Sequence, residues 1–194
     1  MSTLRIHICL SILATLSVGC SSSIREQEQR YRAFYRDTAQ ALTPGFELPD
    51  GALYGPLWAQ VEGRHWETRD GSGQTKAEFW TSGEVNGDTK TDYAYILVES
   101  ATGKLVLFAI LSAEQGYRAE TLTDGFNWGN WVKTREPGRY ATAAARGIGA
   151  DAVESVLEFE AQHQAIDFFQ PEGSASSFVW NASSQSFDRF WTSD

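Results

Sequence analysis

The spacing of the turn signals constrains this chain more than anything else in it. Asp70-Gly71, Asn86-Gly87, Thr102-Gly103, Gln115-Gly116 and Asp124-Gly125 recur every 9 to 16 residues. Asn-Gly and Asp-Gly between apolar runs are the strongest short hairpin signals. Such intervals leave no room for the crossover helix that a parallel neighbour needs. Consecutive strands are therefore expected to pair antiparallel, as an up-and-down meander. The expected strands are 64–69, 76–83, 90–99, 105–112, 117–122 and 126–133, then 153–169, 178–181 and 187–191 after a looser stretch. The run 153–169 is long for one strand, and a bulge or a break into two would explain it. The fold class expected is mainly β, with about eight or nine strands in a barrel-like sheet.

One run adds a condition. Leu105-Val106-Leu107-Phe108-Ala109-Ile110-Leu111 is apolar at every position, so both faces of that strand need cover. The obvious outer cover is an N-terminal α-helix over 21–42. Ser23-Ile24-Arg25-Glu26 is a capping box. Tyr31, Phe34, Tyr35, Thr38 and Leu42 form one helical stripe, and Pro44-Gly45 ends it.

The first 19 residues read as an address. They carry one charged side chain, Arg5, and an apolar run from Ile6 to Val18. A helix of that length rises only about 20 Å, too short for the ~30 Å hydrocarbon core of a bilayer. A basic start followed by a short apolar run describes a secretory signal peptide. Ser17-Val18-Gly19-Cys20 then resembles the lipobox of bacterial lipoprotein precursors. The resemblance implies that Cys20 is acylated and becomes the new N-terminus. It also implies a lipid-anchored protein of the bacterial cell envelope. Ser21 after the cysteine resembles the outer-membrane sorting pattern, with the domain facing the periplasm. The expected organisation is signal peptide 1–19, lipidated N-terminus and amphipathic helix 20–45, and β-domain 46–194. Removal of the signal takes Arg5 and Cys9 away, so Cys20 is the sole remaining cysteine and no internal disulfide can form.

A short helical turn, then Gly63-Arg64-His65-Trp66, then an antiparallel meander resembles the lipocalin and calycin barrels. That family carries Gly-x-Trp on its first strand; this chain is one residue longer there. The resemblance implies a barrel closed by Gly63 and Trp66, with Arg189 as the arginine that covers the tryptophan. It further implies non-catalytic binding of a small hydrophobic or amphipathic molecule. The residues that would meet such a ligand are Trp66, Trp80, Phe108, Trp128 and His163.

Other chemistry is thinly represented. His163 shares an alternating face with Leu157, Phe159, Ala161 and Ala165, which suits a hydrogen-bonded core histidine or a polar group in a pocket. Two histidines without ligand spacing give no metal site. Glu154, Glu158 and Glu160 can act as glycosidic acids only if they converge; a row along one strand is ordinarily its solvated face. No nucleophile elbow, phosphate loop or zinc signature is present, and nothing calls for a cofactor. Residues 134–151 are the least patterned and hold Arg135, Arg139 and Arg146, which can receive an anionic group. The seven tryptophans include Trp131, placed to face outward, where it can stack on a glycan or sit in a membrane interface.

Composition excludes the broader alternatives. With 42% apolar and 13% aromatic residues the chain can bury a core. Sixteen basic against 25 acidic residues, net −9, argue against nucleic acid as a partner. Two readings remain: a binding domain for a small amphipathic molecule, or an envelope accessory that binds a partner protein or glycan through Trp131 or the 134–151 loop. A hydrolase is a third, and needs His163 to meet a carboxylate in a cleft.

Overall fold

The computed structural model describes Glu26 and residues 29–49, 79–126, 130–147, 156–169 and 174–192. The chain divides into two compact units, Met1–Ala41 and Leu42–Asp194. No helix among the described residues is long and apolar enough to cross a membrane.

In the first unit, residues 29–34 are α-helical and Tyr35–Ala39 form a π-helical turn, closed by the Gln40 N–H on the Tyr35 carbonyl. A π turn inserts one extra residue per turn. That shifts the apolar stripe. Tyr31, Tyr35 and Ala39 are the buried positions, and Thr38, expected on the stripe, is only half-buried.

The second unit is antiparallel β throughout. Its strands are β1 (Phe46–Glu47), β2 (Trp80–Gly83), β3 (Asp92–Glu99), β4 (Leu105–Ser112), β5 (Tyr117–Phe126), β6 (Trp131–Arg135), β7 (Gly138–Ala141), β8 (Glu158–Ala161), β9 (Ala165–Phe169), β10 (Ala175–Asn181) and β11 (Ser186–Trp191). One sheet runs β1-β3-β4-β5, with β2 beside β1 on the same edge of β3. A second runs β11-β10-β9-β6, and β7-β8 form a separate hairpin. No sheet closes into a barrel among the described residues.

The expected meander holds for β2 to β5 and for β9 to β11, and breaks between them. β6 pairs with β9 across the chain, and the described part of the run 153–169 holds two strands that pair elsewhere, β8 with β7 and β9 with β6 and β10. Asp124-Gly125, read as a turn, lies inside β5. Register shifts between Leu105 and Val106 and between Leu107 and Phe108 absorb it, and Gly125 has φ +68°. A glycine in that conformation serves a bulge as readily as a turn. The stretch 134–151, expected to be loop, contains β7 and the 3₁₀ turn Ala144–Arg146.

The two sheets share one core. Ala94, Ile96, Leu105, Leu107, Ala109 and Leu111 come from the first; Val132, Ile166, Phe168 and Phe178 come from the second. Side chains fill the space between these strands: Leu107, Ala109, Leu111 and Val132 are fully buried. The sheets also meet at a corner through side chains instead of a ladder, where the Thr134 N–H donates to Thr81 Oγ1 at 3.0 Å. The strand 105–112 is buried on both faces, as its uniform apolarity requires. Phe46 packs edge-on against Phe108 on its far side. The β7-β8 hairpin makes a second small core on the outer face of the β9-β10 pair, from Tyr140, Phe159, Ala161, Ala165, Val179 and Phe190.

Beneath that hairpin lies a buried ion pair. Asp167 is 1% exposed and accepts Arg135 Nε on both oxygens, at 2.8 and 2.9 Å, and Ser177 Oγ at 2.6 Å. The Arg135 guanidinium covers the Tyr140 ring at 4.4 Å. The pair therefore ties β6, β9 and β10 to the hairpin above them.

Candidate functional site

The densest polar cluster is the loop between β2 and β3. Its anchor is Asp92, which is fully buried at the start of β3. Asp92 Oδ2 accepts the Val85 N–H at 2.8 Å and the Asn86 N–H at 3.1 Å; Oδ1 accepts the Ser112 N–H at 2.7 Å and lies 2.8 Å from Ser112 Oγ. Asn86 Nδ2 donates to the Ser112 carbonyl, and its Oδ1 accepts the Asp88 N–H. The Asn-Gly pair is thus held inside a longer loop and does not form a two-residue hairpin turn.

Asp88 accepts the Lys90 N–H at 2.9 Å and shares the Ser112 hydroxyl with Asp92, its Oδ2 lying 2.8 Å from Ser112 Oγ. Desolvation pushes its carboxyl up. The hydrogen bonds from Lys90, Ser112 and Asn86, with the Lys90 charge, outweigh that and hold it below the ordinary aspartate range. A depressed pKa means that Asp88 stabilises the fold above the unfolded value of about 3.9, and that this contribution disappears as pH falls through the lower folded value. Asp88→Asn should therefore flatten the acid limb of stability against pH below about 4. Unfolding midpoints of both proteins across that range check this.

The β8-β9 turn closes over the loop. His163 Nδ1 lies 3.2 Å from Glu84 Oε2, and Gln164 exchanges hydrogen bonds with Glu84, N–H to carbonyl at 3.0 Å and side-chain Oε1 from the Glu84 N–H at 2.9 Å. Gly87, with φ +85°, sits under the imidazole; a Cβ there would lie 2.6 Å from His163 Nε2. Two penalties then fall on Gly87→Ala, overlap with the ring and a left-handed backbone. The backbone part costs about 1 kcal/mol. In a His163→Ala background only that part should remain, and denaturant unfolding of the four proteins in the cycle measures the difference.

Glu84, Asp88 and Asp92 each place a carboxylate oxygen within 4.8 Å of the others. Oxygen sets of this kind suit hard cations. Here protein donors already engage all three: three backbone N–H groups reach Asp92, the Lys90 N–H reaches Asp88, the Ser112 hydroxyl lies between those two carboxylates, and the Gly87 N–H reaches Glu84. The arrangement is a loop clamp. His163 does meet a carboxylate, as a hydrolase would need, but its other nitrogen rests against Gly87 instead of a reacting group. Glu158 and Glu160 stand exposed on β8, with Arg139 3.8 Å from Glu158, and Glu154 lies outside the described residues.

The residues expected to line a ligand fall in different places. Trp80, Tyr95 and Phe108 occupy one cross-strand row, and the row lies on the face of the first sheet turned away from the shared core. His163 is not on a strand: the chain breaks at 162–164, which ends the alternation that placed it beside Phe159. It joins the Glu84 loop instead. Trp66 and Trp128, like Gly63, His65 and Cys20, lie outside the described residues. Arg189, expected to cover Trp66, stacks on Phe178 and Trp191. The clamp residues Glu84, Asp88 and Asp92 were missed because Asn86-Gly87 reads as a simple turn. Polar residues at every second position, Glu84, Asn86, Asp88, Lys90 and Asp92, were the available signal.

No protein-family model, no curated protein and no solved structure matches the chain.

Proposed function

We propose that this is a lipid-anchored envelope protein whose β-domain acts without catalysis, as a structural or assembly accessory that engages its partner through its surface. The anchor reading rests on Ser17-Val18-Gly19-Cys20 behind a short apolar run. The two sheets are read as a flattened, filled version of the barrel-like layout. The observation that favours an accessory over a carrier is the packing between them: Leu107, Ala109, Leu111, Val132, Ile166 and Phe168 are each at most 1% exposed. A carrier needs a concave space of a few hundred cubic ångströms, and these side chains occupy the middle of the interior.

The second reading, binding of a small hydrophobic or amphipathic molecule, is favoured by the row Trp80–Tyr95–Phe108 on the opposite face of the first sheet. Native mass spectrometry of the purified protein separates the two. The accessory reading expects the bare polypeptide mass. A stoichiometric apolar molecule that is retained, and lost on Phe108→Ala, would replace it with the carrier reading.

A further inference from the structure

Strand β5 ends the first sheet: among the described residues it pairs with β4 alone, which leaves its other edge without a ladder. The hairpin decides which backbone groups face that edge. The Ala113 N–H donates to the Gly116 carbonyl at 3.0 Å, so these two residues are a hydrogen-bonded pair. Alternation then makes Leu111–Arg118 and Ala109–Glu120 the pairs that exchange bonds inside the sheet. Ser112 agrees, since its N–H and carbonyl turn away from β5 toward Asp92 and Asn86. The N–H and carbonyl groups of Ala119 and Thr121 therefore point outward from the sheet edge.

Two charges guard this edge. Arg118 and Glu120 stand opposite Leu111 and Ala109 and so share the inner face of the sheet. Arg118 Nη1 lies 3.1 Å from Glu120 Oε2, and its guanidinium lies 5.2 Å from the ring centre of Trp180 in the second sheet. A charge on the inner face of an edge strand ordinarily keeps other chains off. Here the two signs are opposite and two residues apart, so the guard is self-complementary in one register. An antiparallel copy centred on Ala119 places Arg118 opposite Glu120 of that copy, twice by symmetry. Centring on Arg118 or on Glu120 would set like charges face to face. The register shifts beyond Thr121 bend the strand and confine the pairing to residues 117–121.

From this pattern we infer that β5 is a contact edge for a second copy of the chain, paired antiparallel about Ala119. The two-fold axis stands perpendicular to the sheet. Ala119 exchanges both backbone bonds with Ala119 of the second copy, and Tyr117 lies opposite Thr121 of that copy. Between them, at the closely spaced positions, stand the two Arg118–Glu120 pairs, so each arginine trades the carboxylate of its own chain for that of the other. Both second sheets lie on the same side of the joint, which sets the half-buried Trp180 of each copy beside it. Because the same edge serves both copies, the assembly closes at two and does not propagate. The inference requires neither acylation of Cys20 nor the accessory role, because β5 lies wholly within the β-domain.

Cross-linking at the axis tests it on the full chain in detergent micelles, with Cys9 and Cys20 replaced by alanine. Hydrogen-bonded partners across antiparallel strands stand about 5.5 Å apart at Cα, within reach of a disulfide. Ala119→Cys should therefore give a disulfide-linked dimer under mild oxidation. Arg118→Glu in that background sets carboxylates opposite one another in both pairs and should cut the linked fraction about tenfold. Arg118→Glu together with Glu120→Arg makes the edges complementary again and should restore the dimer. Thr121→Pro removes an outward N–H and no bond to β4, and should block linkage in a fold that circular dichroism shows intact. Sedimentation equilibrium of the same series without the added cysteine should rank the dimers in the same order. A chain that stays monomeric at every concentration and forms no linked dimer would overturn the inference. So would a dimer that Arg118→Glu leaves unchanged, because the copies would then meet elsewhere, and so would a folded double reversal that fails to restore it.

Discussion

Asp92→Ala should be among the most destabilising single substitutions in this protein. It leaves the buried N–H groups of Val85 and Ser112 without an acceptor, and that of Asn86 as well. Each buried donor left unsatisfied costs about 1–3 kcal/mol, so a loss of roughly 4 kcal/mol is expected. That is a large part of the 5–15 kcal/mol typical of a domain. The damage extends beyond one contact: Asp92 pins the β2-β3 loop to the end of β4 through Ser112, and Asp88 and Asn86 depend on the same serine. Asp92→Asn keeps one carbonyl oxygen and should lose about half as much. Urea unfolding at neutral pH measures both, and near-identical midpoints for wild type and alanine variant would remove Asp92 from its role as anchor.

The second large effect belongs to Asp167. Replacing it with alanine strands Arg135, whose side chain is only 23% exposed, and frees Ser177. Breaking a buried pair on one side costs about 3–5 kcal/mol, and the residual exposure of Arg135 places this case near 3. Removing both partners is expected to be milder, because no uncompensated charge remains. Asp167→Ala with Arg135→Met should therefore recover part of what Asp167→Ala loses. If the double variant is less stable than wild type by the sum of the two single effects, the two side chains do not act as a pair.

Local pattern carried the strand content and failed on connectivity. The run 105–112 is readable because seven consecutive apolar side chains between the turn signals Thr102-Gly103 and Gln115-Gly116 are too short for a buried helix and suit a strand covered on both faces. The hairpin glycines Gly103 and Gly116 take the left-handed conformations their turns require. Asp124-Gly125 looks the same in sequence, yet sits in a bulge, since the choice between bulge and turn depends on what pairs alongside. The β6-β9 pairing joins residues that no short-range signal relates. His163 departs from the expected alternation for a similar reason: the strand stops at Ala161, and the chain turns at 162–164 to meet Glu84. The ion pair of Arg135 and Asp167 was invisible because each residue, taken alone, reads as a surface charge. The clamp around Asp92 was hidden by a dipeptide that ordinarily means a two-residue turn.

The central claim is the anchor, and metabolic labelling in a bacterial host tests it most directly. With labelled palmitate, the wild-type chain should carry the label and fractionate with the membranes. Cys20→Ala should lose the label, while the β-domain unfolds at an unchanged midpoint. A Cys20→Ala chain that still takes up palmitate, or a wild-type chain that takes up none and is recovered free of the membrane, would contradict the account.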